Sequence, residues 1–141
     1  MRIVNSMTQL EYKESMSEAE LQLYIKETAI LFEWWYFHDE DSRRNEPGLP
    51  DTILIKPPYM VWNENKTMKG RLRNDQKICL NKLSASHQIV YLWRPCDKAQ
   101  ILAVLSGVEI PVGNYEPVPV TFCSVKPTND KTQKKRKRKT R

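Results

Sequence analysis

Two carboxylates and an amine stand at a spacing that suits phosphodiester chemistry. Asp51 closes the run Gly48-Leu49-Pro50-Asp51, and Glu64-Asn65-Lys66 answers it thirteen residues later. Between them lie residues 52–56 (TILIK) and 59–62 (YMVW), rich in β-branched, aliphatic and aromatic side chains and separated by Pro57-Pro58. That composition predicts two strands and a reversal. With an even loop centred on the proline pair, Lys56 faces Tyr59, Ile53 faces Trp62 and Asp51 faces Glu64. Directly opposed residues have Cβ atoms about 4.5–5.5 Å apart, where like charges repel. A divalent cation between them accounts for such a pair. Lys66, two residues past Glu64, projects from the same sheet face. The favoured two-residue hairpin turns need positive φ, which proline cannot adopt, so a wider loop from Lys56 to Tyr59 is expected. An odd loop moves Asp51 to the opposite face. A PD followed by ExK is also common by chance, so on these residues alone two ordinary surface carboxylates are an equal reading.

Other elements must hold this pair in place. Residues 1–16 show no clear periodicity and read as a loose arm. A helix then starts at a capping box, Ser17-x-x-Glu20, with Leu21, Ile25, Thr28 and Phe32 on one stripe. Glu18 extends that stripe one turn towards the N-terminus. Glu20 is committed to the cap, so Glu18 is the acid free for a site. Residues 34–38 (WWYFH) read as a short strand whose aromatics are assigned to the core in preference to a base-stacking surface. The polar stretch that follows carries Arg43 and Arg44, which either contact phosphates or are simply solvated. A second helix over about 74–85 turns Cys79, Leu80 and Leu83 inward. Gln76 falls on the same face, as a satisfied core amide or as a group reaching towards Glu64. Residues 89–93 (IVYLW) form a buried strand, and Asp97 caps a third helix with Ile101, Val104 and Leu105. Residues 107–125, interrupted by Pro111, Pro117 and Pro119, read as edge strand or loop. The order of helix, three strands, helix, strand and helix predicts an α/β fold, a mixed central sheet flanked by helices.

At 141 residues the chain is expected to hold one domain with tails. No run resembles a signal peptide or approaches the roughly 20 apolar residues of a membrane span. Cys79, Cys96 and Cys123 are odd in number and lack a C-x-x-C pair, which suggests reduced thiols in a cytoplasmic compartment. His38 and His87 are too few for a histidine-rich metal site, and each reads as a structural residue. Residues 131–141 (KTQKKRKRKTR) carry eight of the 23 basic residues and no acid. Without them, 15 basic residues face 17 acids, a net of −2. Lys134, Lys135, Arg136, Lys137, Arg138 and Lys139 are therefore either a polyphosphate-binding arm or a solubilising or targeting tail.

The runs Ser17-Glu-Ala-Glu-Leu-Gln22, Gly48-Leu-Pro-Asp51, Glu64-x-Lys66, Gly70-Arg-Leu-x-x-x-Gln76 and Val90-Tyr-Leu-Trp-Arg-Pro95, in that order, resemble the stand-alone VRR-NUC nucleases of the PD-(D/E)XK superfamily. These are common in phages and prophages. The resemblance covers about residues 17–105 and divides the chain into an N-terminal arm (1–16), a nuclease domain (17–125) and a disordered basic tail (126–141). It implies a restriction-endonuclease-like sandwich and structure-selective DNA cleavage with Mg²⁺ or Mn²⁺. It further implies a homodimer that resolves Holliday junctions, in the host cytoplasm if phage-encoded, with no membrane partner. Carried over by residue, the catalytic groups are Glu18, Asp51, Glu64, Lys66 and Gln76. The metal ligands are Asp51, Glu64 and the main-chain carbonyl of Asn65. Asn65 stands where an aliphatic residue is usual, and the loop between His38 and Gly48 is shorter than in many relatives. Two other functions compete. A phage nickase or flap nuclease differs in the DNA structure cut, and a non-cleaving DNA-binding protein has no need to keep Asp51, Glu64 and Lys66 together.

Overall fold

The computed structural model describes residues 8–39 and 47–120. Arg43, Arg44 and the basic run 131–141 lie outside the described residues, as does Cys123. Helix α1 (Gln9–Ser15) leads into α2 (Glu18–Leu31), followed by strands β1 (Trp35–His38), β2 (Thr52–Lys56) and β3 (Tyr59–Asn65). Helix α3 (Asn74–Ala85), strand β4 (Ile89–Trp93), a 3₁₀ turn (Pro95–Asp97) and helix α4 (Lys98–Leu105) complete the order. The four strands form one mixed sheet in the order β1-β2-β3-β4, antiparallel except for the parallel β3–β4 pair. The molecule is thus α/β, with the expected element order and one additional helix. No helix among the described residues is long and apolar enough to cross a membrane.

That additional helix lies in the segment expected to be a loose arm. Thr8 and Glu11 form a reciprocal capping box at its start. Met16, just beyond its end, is buried in the core. Seven residues are too few to register as helical periodicity, and the helix is anchored by Met16 and by Tyr12, whose ring centroid lies 5.0 Å from the Lys98 amine.

Alternation along the strands separates two faces. Leu54, Val61, Tyr91 and Trp93 project to one side and pack with Leu21, Ile25 and Ala29 of α2 and with Ile101, Val104 and Leu105 of α4. Trp34 joins them, its indole N–H donating to the Leu105 carbonyl at 2.9 Å. On the other side α3 packs over β4, burying Leu80. The aromatic run therefore divides. Trp34 and, in part, Tyr36 belong to the core, whereas Trp35 and Phe37 point to the second face and are exposed. The expectation that the whole run is core fails because a strand buries only every other residue unless both faces are covered.

Two further expectations differ in detail. The β2–β3 connection is a two-residue turn, with Pro57-Pro58 cis and Lys56 paired directly with Tyr59. A cis-proline turn needs no positive φ, so the wider loop is not required. Asp97 precedes α4, yet its carboxylate accepts from the Arg94 N–H at 2.9 Å and closes the 3₁₀ turn, leaving α4 without a side-chain cap.

Residues 107–120 form no regular element and cover the free edge of β4. Asn114 and Tyr115 N–H groups donate to the Val90 carbonyl, and the Asn114 side chain exchanges two bonds with the main chain of Leu92. Gly113 permits this approach. Its φ is +86°, and a Cβ there would lie 2.8 Å from the Val90 oxygen.

Candidate functional site

The β2–β3 register places Ile53 against Trp62 and Thr52 against Asn63. Asp51, one residue before β2, continues that register to Glu64. The Gly48-Leu49-Pro50 segment leads into this position by pressing on α3. Gly48 has φ +91°, and a Cβ there would fall 2.2 Å from the Asp75 carbonyl oxygen. Only glycine fits, so the turn before Asp51 and the first turn of α3 are held together.

Gln76 exploits that contact. Its amide oxygen accepts from the Arg73 N–H at 3.0 Å, capping α3, while its amide nitrogen donates to Glu64 Oε1 at 2.8 Å. Of the two expectations for Gln76, the group reaching Glu64 is the one found, and the amide is satisfied as well. Glu64 is 1% exposed, and its second oxygen, Oε2, is buried without a hydrogen-bond partner. Burial pushes the Glu64 carboxyl up to about 8, and the Asp51 charge acts in the same direction. Burial also raises Asp51, partly opposed by His38.

Lys66 lies two residues beyond Glu64, with its side chain largely enclosed and its Nζ 3.9 Å from Glu18 Oε1. Glu20, by contrast, receives the Ser17 N–H and completes the α2 capping box. Glu18 is thus the first-helix acid that meets the pair's neighbourhood. Arg94 stabilises the chain after Lys66, donating to the carbonyls of Thr67 and Gly70 at 2.6 and 2.7 Å. A cleft of about 980 Å³ opens between α2 and β1, and its lining includes Glu18, Gln22, Lys26, His38, Asp51 and Asn65.

Beneath the cleft lies a polar network that the sequence does not predict. Gln22 donates to the Tyr36 hydroxyl and to Thr52 Oγ1 at 2.6 and 2.8 Å, and accepts from the Asn65 amide. Asn65 Oδ1 in turn accepts from Asn63 at 3.0 Å. The polar side chain at position 65 is thus an internal hydrogen-bond partner, buried on the face opposite Glu64. The only signal for it is the set of amides Gln22, Asn63 and Asn65 on otherwise apolar elements. His38, expected to be structural, borders the site as well. Its Nδ1 lies 3.0 Å from the Asp51 carbonyl, which can only accept, so that nitrogen carries the proton.

Among the described residues no three carboxylate, imidazole or thiol groups converge as a metal cluster. The arrangement is a carboxylate pair, and Mg²⁺ is commonly held by one or two carboxylates while keeping several waters. The unpartnered Glu64 Oε2 and the opposed acids therefore fit a hard divalent cation. A scan against protein-family models found no match, and searches of curated proteins and of solved structures found none either.

Proposed function

We propose that this chain is a metal-dependent, structure-selective DNA endonuclease of the VRR-NUC type, acting as a homodimer on branched DNA such as Holliday junctions. The observation that carries the reading is the pairing of Asp51 with Glu64 beside Lys66, with Glu64 Oε2 buried and unpartnered. The order of helix, three strands, helix and strand is the one a restriction-endonuclease-like sandwich asks for.

Asp51, Glu64 and the main-chain carbonyl of Asn65 would hold Mg²⁺ or Mn²⁺. Such an ion supplies positive charge that polarises a phosphoryl oxygen and acidifies a water. Gln76 holds Glu64 through one oxygen and leaves the other for the ion. Lys66 orients the attacking water or stabilises charge growing on the phosphoryl group. Glu18, 3.9 Å from the Lys66 amine, directs it into the site. Phosphate contacts position DNA without reading bases, so selectivity rests on backbone shape.

The test is incubation of the full chain with four-way, flap, splayed and linear duplex DNA, in Mg²⁺ and in EDTA, with cut mapping. Symmetric metal-dependent cuts in the four-way junction support junction resolution, and cuts confined to flaps or single strands indicate a flap nuclease or nickase. Asp51→Asn and Glu64→Gln should each abolish cleavage. Undiminished cleavage by either removes that residue from the site, and tight binding without cleavage in any metal identifies a DNA-binding protein.

A further inference from the structure

Among the described residues, one face of the sheet lacks a covering layer over β1, β2 and the first half of β3. The register sets Trp35 against Ile55, Phe37 against Ile53, Ile55 against Met60 and Ile53 against Trp62. All six side chains therefore share the face opposite α2 and α4, where α3 covers β4 and the Glu64 end of β3. Trp35 is 56% exposed, Phe37 45% and Met60 37%, and Ile53, Ile55 and Trp62 are half-buried. The rings of Trp35 and Phe37 stack at 6.0 Å with planes 6° apart.

We infer that this sheet face is the surface on which two copies of the chain associate, packed face to face about a two-fold axis. The composition decides between occupants. A surface for nucleic acid interleaves aromatics with Lys or Arg, and none of the six side chains is charged. An interface core is depleted of charge and enriched in aromatics and Met, which this face reproduces. Aromatic side chains offer about 150–250 Å² each, so these exposures leave on the order of 300–400 Å² of apolar surface. That is about half of the ~800 Å² per partner in a standard interface, as suits an apolar core with a polar rim. Sheet faces pack on one another with nearly aligned strands, and a face doing so on its own copy meets the two-fold requirement. The Asp51–Glu64 pair lies two residues further along the strands, about 7 Å, at the rim of the face. This interface deepens the homodimer of the proposed function; metal-dependent cleavage by a chain that stays monomeric would overturn the interface and leave the nuclease reading standing.

Sedimentation velocity of the full chain at 1–100 μM, roughly the range over which a weak dimer forms, tests the inference. The native chain should sediment as a dimer. Phe37→Glu and Met60→Lys, both exposed in the protomer, should raise the dimer Kd at least about a hundredfold while circular dichroism stays native. Leu31→Glu and Val108→Glu, exposed elsewhere, should leave the dimer intact. A native monomer throughout that range, or a dimer insensitive to Phe37→Glu and Met60→Lys, overturns the assignment. If only single-stranded DNA binding responds to these substitutions, the face is a base-stacking surface and the inference is equally overturned.

Discussion

Glu64→Gln should stabilise the metal-free protein at alkaline pH and remove most of its pH dependence. In the native chain the Glu64 carboxyl is raised from the ordinary 4.5 to about 8, first by burial and then by Asp51. The unfolded chain therefore releases this proton near pH 4.5, while the folded chain holds it until about pH 8. Between those values the folded state binds more protons, so stability falls as pH rises. It is fullest below pH 4.5 and the loss is complete above about 8. At about 1.4 kcal/mol per pH unit the ceiling is about 5 kcal/mol; relaxation and water entry reduce it, and a loss of about 2–4 kcal/mol is expected. The carboxamide in Glu64→Gln keeps an oxygen to accept from Gln76, so the α3 contact survives. Urea unfolding in EDTA at pH 5 and pH 8.5 measures the difference, with equal m-values as the check that the denatured state is unchanged. Mg²⁺ should restore native stability at pH 8.5, by about 2.7 kcal/mol at a hundredfold excess over its Kd, and should leave the variant unmoved. Equal pH dependence in the native chain and Glu64→Gln would refute the buried-pair argument, and so would a native chain more stable at pH 8.5 than at pH 5.

Three other outcomes are expected. Lys66→Ala should lower single-turnover cleavage by orders of magnitude while junction affinity changes little; a proportional loss of affinity would make Lys66 a phosphate anchor. Gly48→Ala places a side chain at positive φ and against the Asp75 carbonyl, so it should cost at least about 1–3 kcal/mol in urea unfolding and reduce cleavage by displacing Asp51; an unchanged midpoint would show that the turn and α3 are not held together. Deleting residues 131–141 should flatten the salt dependence of DNA binding by about 0.9 in log–log slope for each phosphate the tail neutralises and leave the preference for branched over linear DNA intact; disappearance of that preference at constant slope would make the tail a recognition element.

The parts of the site carried by strand parity were legible, because parity is rigid. Once Lys56 pairs with Tyr59, the positions of Ile53, Trp62, Asp51 and Glu64 follow without adjustable geometry. Helix caps were legible for a similar reason: Ser17-x-x-Glu20 fixes a helix start, and it left Glu18 as the acid nearest Lys66. Interactions between distant elements left weaker traces. The Gln22–Asn65–Asn63 network joins residues 43 positions apart, and no local pattern marks a helix amide as the partner of a strand amide. Gly48 stood out only as the start of the run ending at Asp51, and its contact with Asp75 depends on where α3 docks.

The aromatic strand shows which kind of information was missing. A strand turns successive side chains to opposite faces, yet that alternation cannot say how many faces are covered. Coverage depends on helix placement. Because α2 and α4 occupy one face and α3 covers β4 and the Glu64 end of β3 on the other, the same pattern that half-buries Tyr36 leaves Trp35 and Phe37 open. A solvent-facing sheet surface normally carries polar side chains, and this one is apolar across three strands. The mismatch between its composition and its exposure is what the inferred association of two copies would remove, by making that face a core.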